Sequence, residues 1–131
     1  MPNKYGIRKT MDVPFEEAIE KVTGQLREQG FGVLTEIDMK ATLKKKLGVD
    51  IRRYVILGAC NPNLAYKAFQ NELEIGLLLP CNVIVYETDD RQATVSFIDP
   101  LMMMGITGNK ALEEVAIEAR KRLDTALEAL I

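Results

Sequence analysis

Two short steps in this sequence carry residue types suited to nucleophilic chemistry. They are Cys60-Asn61, in the run Ala59-Cys60-Asn61-Pro62, and Cys81-Asn82, in the run Pro80-Cys81-Asn82. A thiolate attacks peroxides, disulfides and carbonyls. Cys60 stands directly before an expected helix start, where unpaired amide N–H groups favour negative charge and lower a thiol pKa. Asn side chains can donate to a developing anion. The same residues also have a purely structural account: cysteine packs as a small hydrophobe, and asparagine caps helices and forms turns. The spacing is not Cys-x-x-Cys, and the chain has no histidine to act as a base. That absence excludes a Ser-His-Asp triad, a Cys-His pair and a histidine metal site. Whether the two thiols approach depends on the direction of their strands. Antiparallel pairing sets the end of one beside the start of the other; a parallel crossover puts them at opposite edges.

Met102, Met103 and Met104 form the second group. Methionine and cysteine are soft ligands that can hold Cu(I), but consecutive residues rarely all face one ion, so no metal and no cofactor are expected. They read as an apolar loop that packs on the core, a partner or a ligand, with Gly105 and Gly108 as points of movement. A third group, Lys40, Lys44, Lys45, Lys46, Arg52 and Arg53, has six cations. Without interleaved aromatics it reads as a solvated face, and next as a site for an anionic small molecule. The acidic residues Glu72, Glu74, Glu87, Asp89, Asp90 and Asp99 are scattered, with no pair placed for acid–base work. No dinucleotide-binding glycine motif, phosphate loop or nucleophile elbow is present.

Composition narrows the partners. The 131 residues carry a formal charge of −2, without the basic excess of a duplex-binding protein, so no nucleic acid is expected. No signal peptide is expected at the N-terminus, and the longest apolar runs, around residues 77–79 and 101–106, are far shorter than a membrane span. The expectation is a cytoplasmic protein whose two cysteines are free thiols.

The elements that must position these groups follow from periodicity. Alternation over residues 5–11 predicts a first strand. Pro14 opens a helix with Phe15, Ala18, Ile19, Val22 and Leu26 as its buried stripe and Gly30 as its stop. Residues 31–37 read as a second strand with Phe31, Val33, Thr35 and Ile37 on one face. Asp38 caps a short helix that Gly48 ends. Residues 54–59, apolar on both faces, read as a central strand. Asn61-Pro62 starts a helix, and residues 75–79 form an apolar return of unassigned state. Residues 83–87 and 93–98 form a hairpin about Asp89-Asp90, and Asn109 caps a last helix running to the C-terminus.

The expected architecture is α+β: a two-layer sandwich with an at least partly antiparallel sheet of about five strands, in the order β-α-β-(short α)-β-α-β-β-α. A single domain spanning residues 1–131 is expected. Helices on one side only leave an apolar sheet face that calls for a partner, so a homodimer is expected.

The runs Leu57-Gly58-Ala59-Cys60-Asn61-Pro62-Asn63-Leu64-Ala65-Tyr66 and Ile75-Gly76-Leu77-Leu78-Leu79-Pro80-Cys81-Asn82-Val83, with Tyr86-Glu87 and Asp99-Pro100, resemble landmarks of the family known as domain of unknown function 302. Val13-Pro14-Phe15-Glu16-Glu17-Ala18 and the Gly30-Phe31 break fit the same pattern. The resemblance implies a compact α+β domain, often dimeric, with no assigned activity and so no catalytic residue to carry over. The leading functional reading is a dimeric binding or interaction module. Its pocket lies near Cys60, Asn61, Cys81 and Asn82, is roofed by Met102, Met103 and Met104, and takes a small apolar or anionic ligand. The alternative is a thiol-dependent redox enzyme using Cys60 or Cys81.

Overall fold

The computed structural model describes residues 3–131; the first two positions of the expected domain lie outside the described residues. Five strands, β1 (Gly6–Met11), β2 (Gly32–Asp38), β3 (Tyr54–Cys60), β4 (Cys81–Glu87) and β5 (Ala93–Ile98), form one sheet in the order β1-β5-β4-β3-β2. Every neighbouring pair is antiparallel. The strand read as central, β3, is interior, while β4 holds the middle position. The fold is therefore α+β, with helices packed on an open sheet.

Strict alternation divides the sheet into two faces. Val55, Leu57, Ala59, Val83, Val85, Val95 and Phe97 point to the covered face and are buried. Against them pack α1 (Phe15–Glu28) and α5 (Glu113–Glu128), whose stripes contribute Val22, Leu26, Ala119 and Leu123 to the same core. Each large side chain so buried stabilises the fold by about 1.5–3 kcal/mol before the entropy of ordering it is counted. The outer face carries Tyr54, Ile56 and Gly58 on β3, Asn82, Ile84 and Tyr86 on β4, Thr94 and Ser96 on β5, and Arg8 and Thr10 on β1.

The remaining helices begin where the chain supplies caps. Asp38 Oδ1 accepts from Ala41 N at 2.9 Å to start α2 (Met39–Leu47), and Gly48 ends it at φ 69°. Asn61 Oδ1 accepts from Leu64 N at 3.3 Å to start α3 (Pro62–Asn71). Behind α1, Gly30 N donates to Arg27 O and Phe31 N to Leu26 O, a Schellman turn that needs the φ of 82° at Gly30. The apolar return left unassigned is a 3-10 helix over Leu73–Leu78, with Ile75 in the core. Asn109 caps a 3-10 turn, Lys110–Leu112, that leads directly into α5.

Two expectations are corrected. First, Val33 and Thr35 do not share a face. The β2–β3 register shifts between them, so Val33 lies opposite Ala59 while Thr35 lies opposite Gly58. A bulge inserts one residue, Leu34, and reverses the alternation beyond it. Second, Met102, Met103 and Met104 are not in a loop. They occupy a short helix, α4 (Pro100–Gly105), capped by Asp99, whose Oδ1 accepts from Leu101 N at 2.9 Å. An aspartate cap followed by proline at the first helical position is a strong start signal, and it outweighs the glycines that follow.

Candidate functional site

Antiparallel pairing brings the two Cys-Asn steps to the same end of the sheet, with Ala59 opposite Cys81 and Gly58 opposite Asn82. Parity then separates the thiols. Cys81 shares the covered face with Ala59 and lies in the core, whereas Cys60 stands one position further along, on the outer side, and is half-buried. Neither thiol has the lowered pKa expected of a nucleophile. Burial raises that of Cys60, and burial together with the nearby Cys60 pushes that of Cys81 up to about 11. The helix N-terminus was expected to do the opposite at Cys60. Asn61 takes the capping position there, its Oδ1 accepting from Leu64 N, and at the half-buried Cys60 it is desolvation that sets the direction.

The two asparagines divide in the converse way. Asn61 is buried: besides capping α3, its Nδ2 donates to Gln29 O at 3.3 Å. Asn82 is exposed and borders two cavities. The first of these, of about 400 Å3, lies between the Leu77-Leu78-Leu79-Pro80 segment and α4. Met102, Met103, Tyr5, Ile98 and Ile106 complete its wall, so Asn82 is its one side-chain amide in an otherwise nearly apolar lining. The structure thus brings together Asn82, Met102 and Met103 among the expected site residues. It places Asn61 in a separate polar cleft with Gly30 and Arg122, and Met104 in another beside Gly108 and Asn109. Cys60 and Cys81 line neither of the cavities that Asn82 borders.

The second cavity at Asn82 is a groove of about 650 Å3 on the outer sheet face, walled by Arg8, Ser96, Ile84, Tyr54 and Tyr86. The two tyrosine rings stack with centroids 5.7 Å apart and planes 10° from parallel. Arg8, Tyr5 and the leucine run were not singled out as site residues from the sequence. Arg8 carried a signal, being a cation on the face of β1 opposite to Ile7 and Met11. The leucine run carried one too: an apolar stretch that no helix or strand period absorbs.

Four of the six cations in the basic span have partners among the described residues. Lys40 Nζ donates to Ile51 O at 2.6 Å, Lys44 pairs with Asp50 at 3.3 Å and Arg52 with Asp89 at 3.2 Å. Arg53 pairs with Glu16, whose carboxyl it holds below the usual range, and lies 4.7 Å over the Phe15 ring. Of the acidic residues, Asp99 is engaged by Arg120 at 2.8 Å. Among the described residues no cluster of three potential ligands could hold a metal ion, and no helix is long and apolar enough to cross a membrane.

An antiparallel five-stranded sheet with helices packed on it, and an apolar cavity at one end, defines a class of small α+β domain. More narrowly, residues 7–130 match the family model described as "Domain of unknown function DUF302", and the chain belongs to that family. It is similar to a solved structure of an uncharacterized conserved protein DUF302 from Bacillus stearothermophilus. That likeness has a TM-score of 0.90 and 29% sequence identity, and covers 98% of this chain and 100% of the other. No curated protein matches. The function of the family is unknown, and nothing in these likenesses points to a redox enzyme or to a specific ligand.

Proposed function

We propose that this protein is a single-domain, cytoplasmic, homodimeric binding module whose ligand is a small, largely apolar molecule. The ligand occupies the cavity between Leu77-Leu78-Leu79-Pro80 and α4. The supporting observation is the cavity itself: about 400 Å3, walled by leucine, isoleucine and methionine, with Asn82 as the orienting polar group. Its rim exposes Leu77 (82%) and Ile106 (76%), apolar surface that a bound molecule would cover. Methionine at positions 102 and 103 adapts to varied shapes. The two free cysteines suit a reducing compartment.

A neutral fluorescent probe such as N-phenylnaphthylamine tests the cavity. Saturable binding at one site per chain is expected, weakened at least tenfold by Met102→Glu with the unfolding midpoint unchanged. Binding that ignores this substitution, or that never saturates, sinks the proposal.

For the dimer, the edge strand β2 is the favoured surface. It leaves one side of its backbone unpaired and exposes Leu34 and Ile37, with Leu47 and Val49 exposed nearby in the chain. Sedimentation equilibrium at micromolar concentration should give a dimer, converted to monomer by Leu34→Glu with Ile37→Glu. A monomeric parent chain refutes the dimer. The redox alternative is tested by maleimide titration of the native protein. With both thiol pKa values raised, reaction is expected only under alkaline conditions, whereas a thiol that reacts well below pH 8 would favour the enzyme.

A further inference from the structure

The groove on the outer sheet face adjoins the apolar cavity across Tyr5, Asn82 and Ile98, which border both. The two differ in chemistry. The apolar cavity has no cationic wall, whereas the groove contains Arg8, and no aspartate or glutamate lines it. Among the described residues Arg8, like Arg27 and Arg91, belongs to no salt bridge, whereas Arg52, Arg53, Arg120 and Arg122 each do. Its guanidinium is not loose over solvent. At Gly6, a methyl in place of hydrogen would stand 2.9 Å from Arg8 Nη2, 3.0 Å from Ser96 Oγ and 3.1 Å from Asn3 Oδ1. The guanidinium and the Ser96 hydroxyl therefore lie side by side, packed over Gly6, where the missing side chain gives them room. Asn3 Oδ1 is itself occupied, accepting from Tyr5 N at 3.1 Å. Two adjacent donors beside an aromatic wall suit a single carboxylate.

We infer that the groove and the cavity form one composite site for an amphipathic monocarboxylate, its anionic head at Arg8 and Ser96 and its alkyl chain past Asn82 between the leucine run and α4. This deepens the proposed function and rests on it. The head group is recognised by charge-assisted hydrogen bonds and the chain by burial of apolar surface. Asn82, at the seam, is the one side-chain amide bordering both parts.

Decanoate and decanol, titrated at pH 7.5 by isothermal calorimetry, separate the two readings. The chain should bind decanoate about tenfold more tightly than decanol, the increment of a charge-assisted contact. Arg8→Gln should remove that preference while leaving decanol binding unchanged, and Arg8→Lys should keep part of it. Gly6→Ala should weaken decanoate more than decanol, because the added methyl crowds Arg8 Nη2 and Ser96 Oγ and pushes the two donors out of place. Equal affinity for the two ligands in the parent chain, or a preference that survives Arg8→Gln, overturns the anion site and leaves the apolar cavity standing. Failure of both ligands to bind overturns the apolar cavity and this inference with it.

Discussion

The dipeptide Cys-Asn occurs twice, and the two copies end up inside out with respect to each other. At Cys60-Asn61 the asparagine is buried and the thiol faces outward; at Cys81-Asn82 the thiol is buried and the asparagine borders two cavities. Local composition is the same, so the difference comes from parity. Ala59 and Cys81 are direct partners on the covered face, which puts Cys60 on the opposite side and sends Asn82 outward. Asn61 is then the first residue beyond β3, where the chain turns into α3 and a cap is needed. A repeated motif in a sheet protein is thus not a repeated site unless its copies also agree in register and face.

The sharpest way to break this comparison is to titrate the thiols. Cys81 has a folded pKa of about 11, above the 9.0 of an unburied thiol. Its protonated form is favoured by the native state, so its share of stability is complete below about pH 9 and is lost as pH rises through 11. That rise corresponds to roughly 3 kcal/mol. Denaturant melts from pH 8 to pH 11 should show a fall of this order, absent in Cys81→Ala. A Cys60→Ala control should retain most of it, and a fall of equal size lost in either variant would mean the two thiols are equivalent.

Next in size is Gly58, which faces Asn82 across the strand pair. A β-carbon there would sit 2.2 Å from Thr35 Oγ1 and 2.7 Å from Pro80 Cγ. Gly58→Ala should cost about 1–3 kcal/mol through this crowding, read as a lower urea midpoint at constant m-value. Asn61→Ala should cost about 1 kcal/mol by removing the cap and the bond to Gln29, whereas Asn61→Asp should keep much of the capping. Smallest is Asn82→Ala, expected within about 0.5 kcal/mol of the parent because the side chain is exposed. Its effect should appear in ligand titration instead. A large loss of stability at Asn82 would erase the contrast between the two steps.

Much of the architecture was legible because caps and periods agreed. Asp38, Gly48, Asn61-Pro62 and the Asp89-Asp90 connection mark boundaries that the structure reproduces. The face of Thr35 was not legible, since one bulge residue reverses alternation without a compositional mark. For the methionines, three flexible apolar residues between one proline and two glycines suggest a loop, although Asp99-Pro100 holds the signal of a helix start. Less of the candidate site could be read. Asn82, Met102 and Met103 meet only because the 3-10 segment folds back beside α4, a long-range arrangement that residue spacing does not encode. Arg8 reaches the groove because β1 pairs with β5 from the far end of the chain.

That last pairing bears on synthesis. Strands β2, β3, β4 and β5 follow one another through the sheet, each beside its predecessor, but β1 has no neighbour other than β5. Met11 finds Ala93, and Gly6 finds Ile98, only once nearly three-quarters of the 131 residues have been made. An emerging chain can therefore close its meander while its first strand still waits. Arg8, Tyr5 and Gly6 arrive with that strand, so on the ribosome the groove on the outer face is the last part of the sheet surface to come into being.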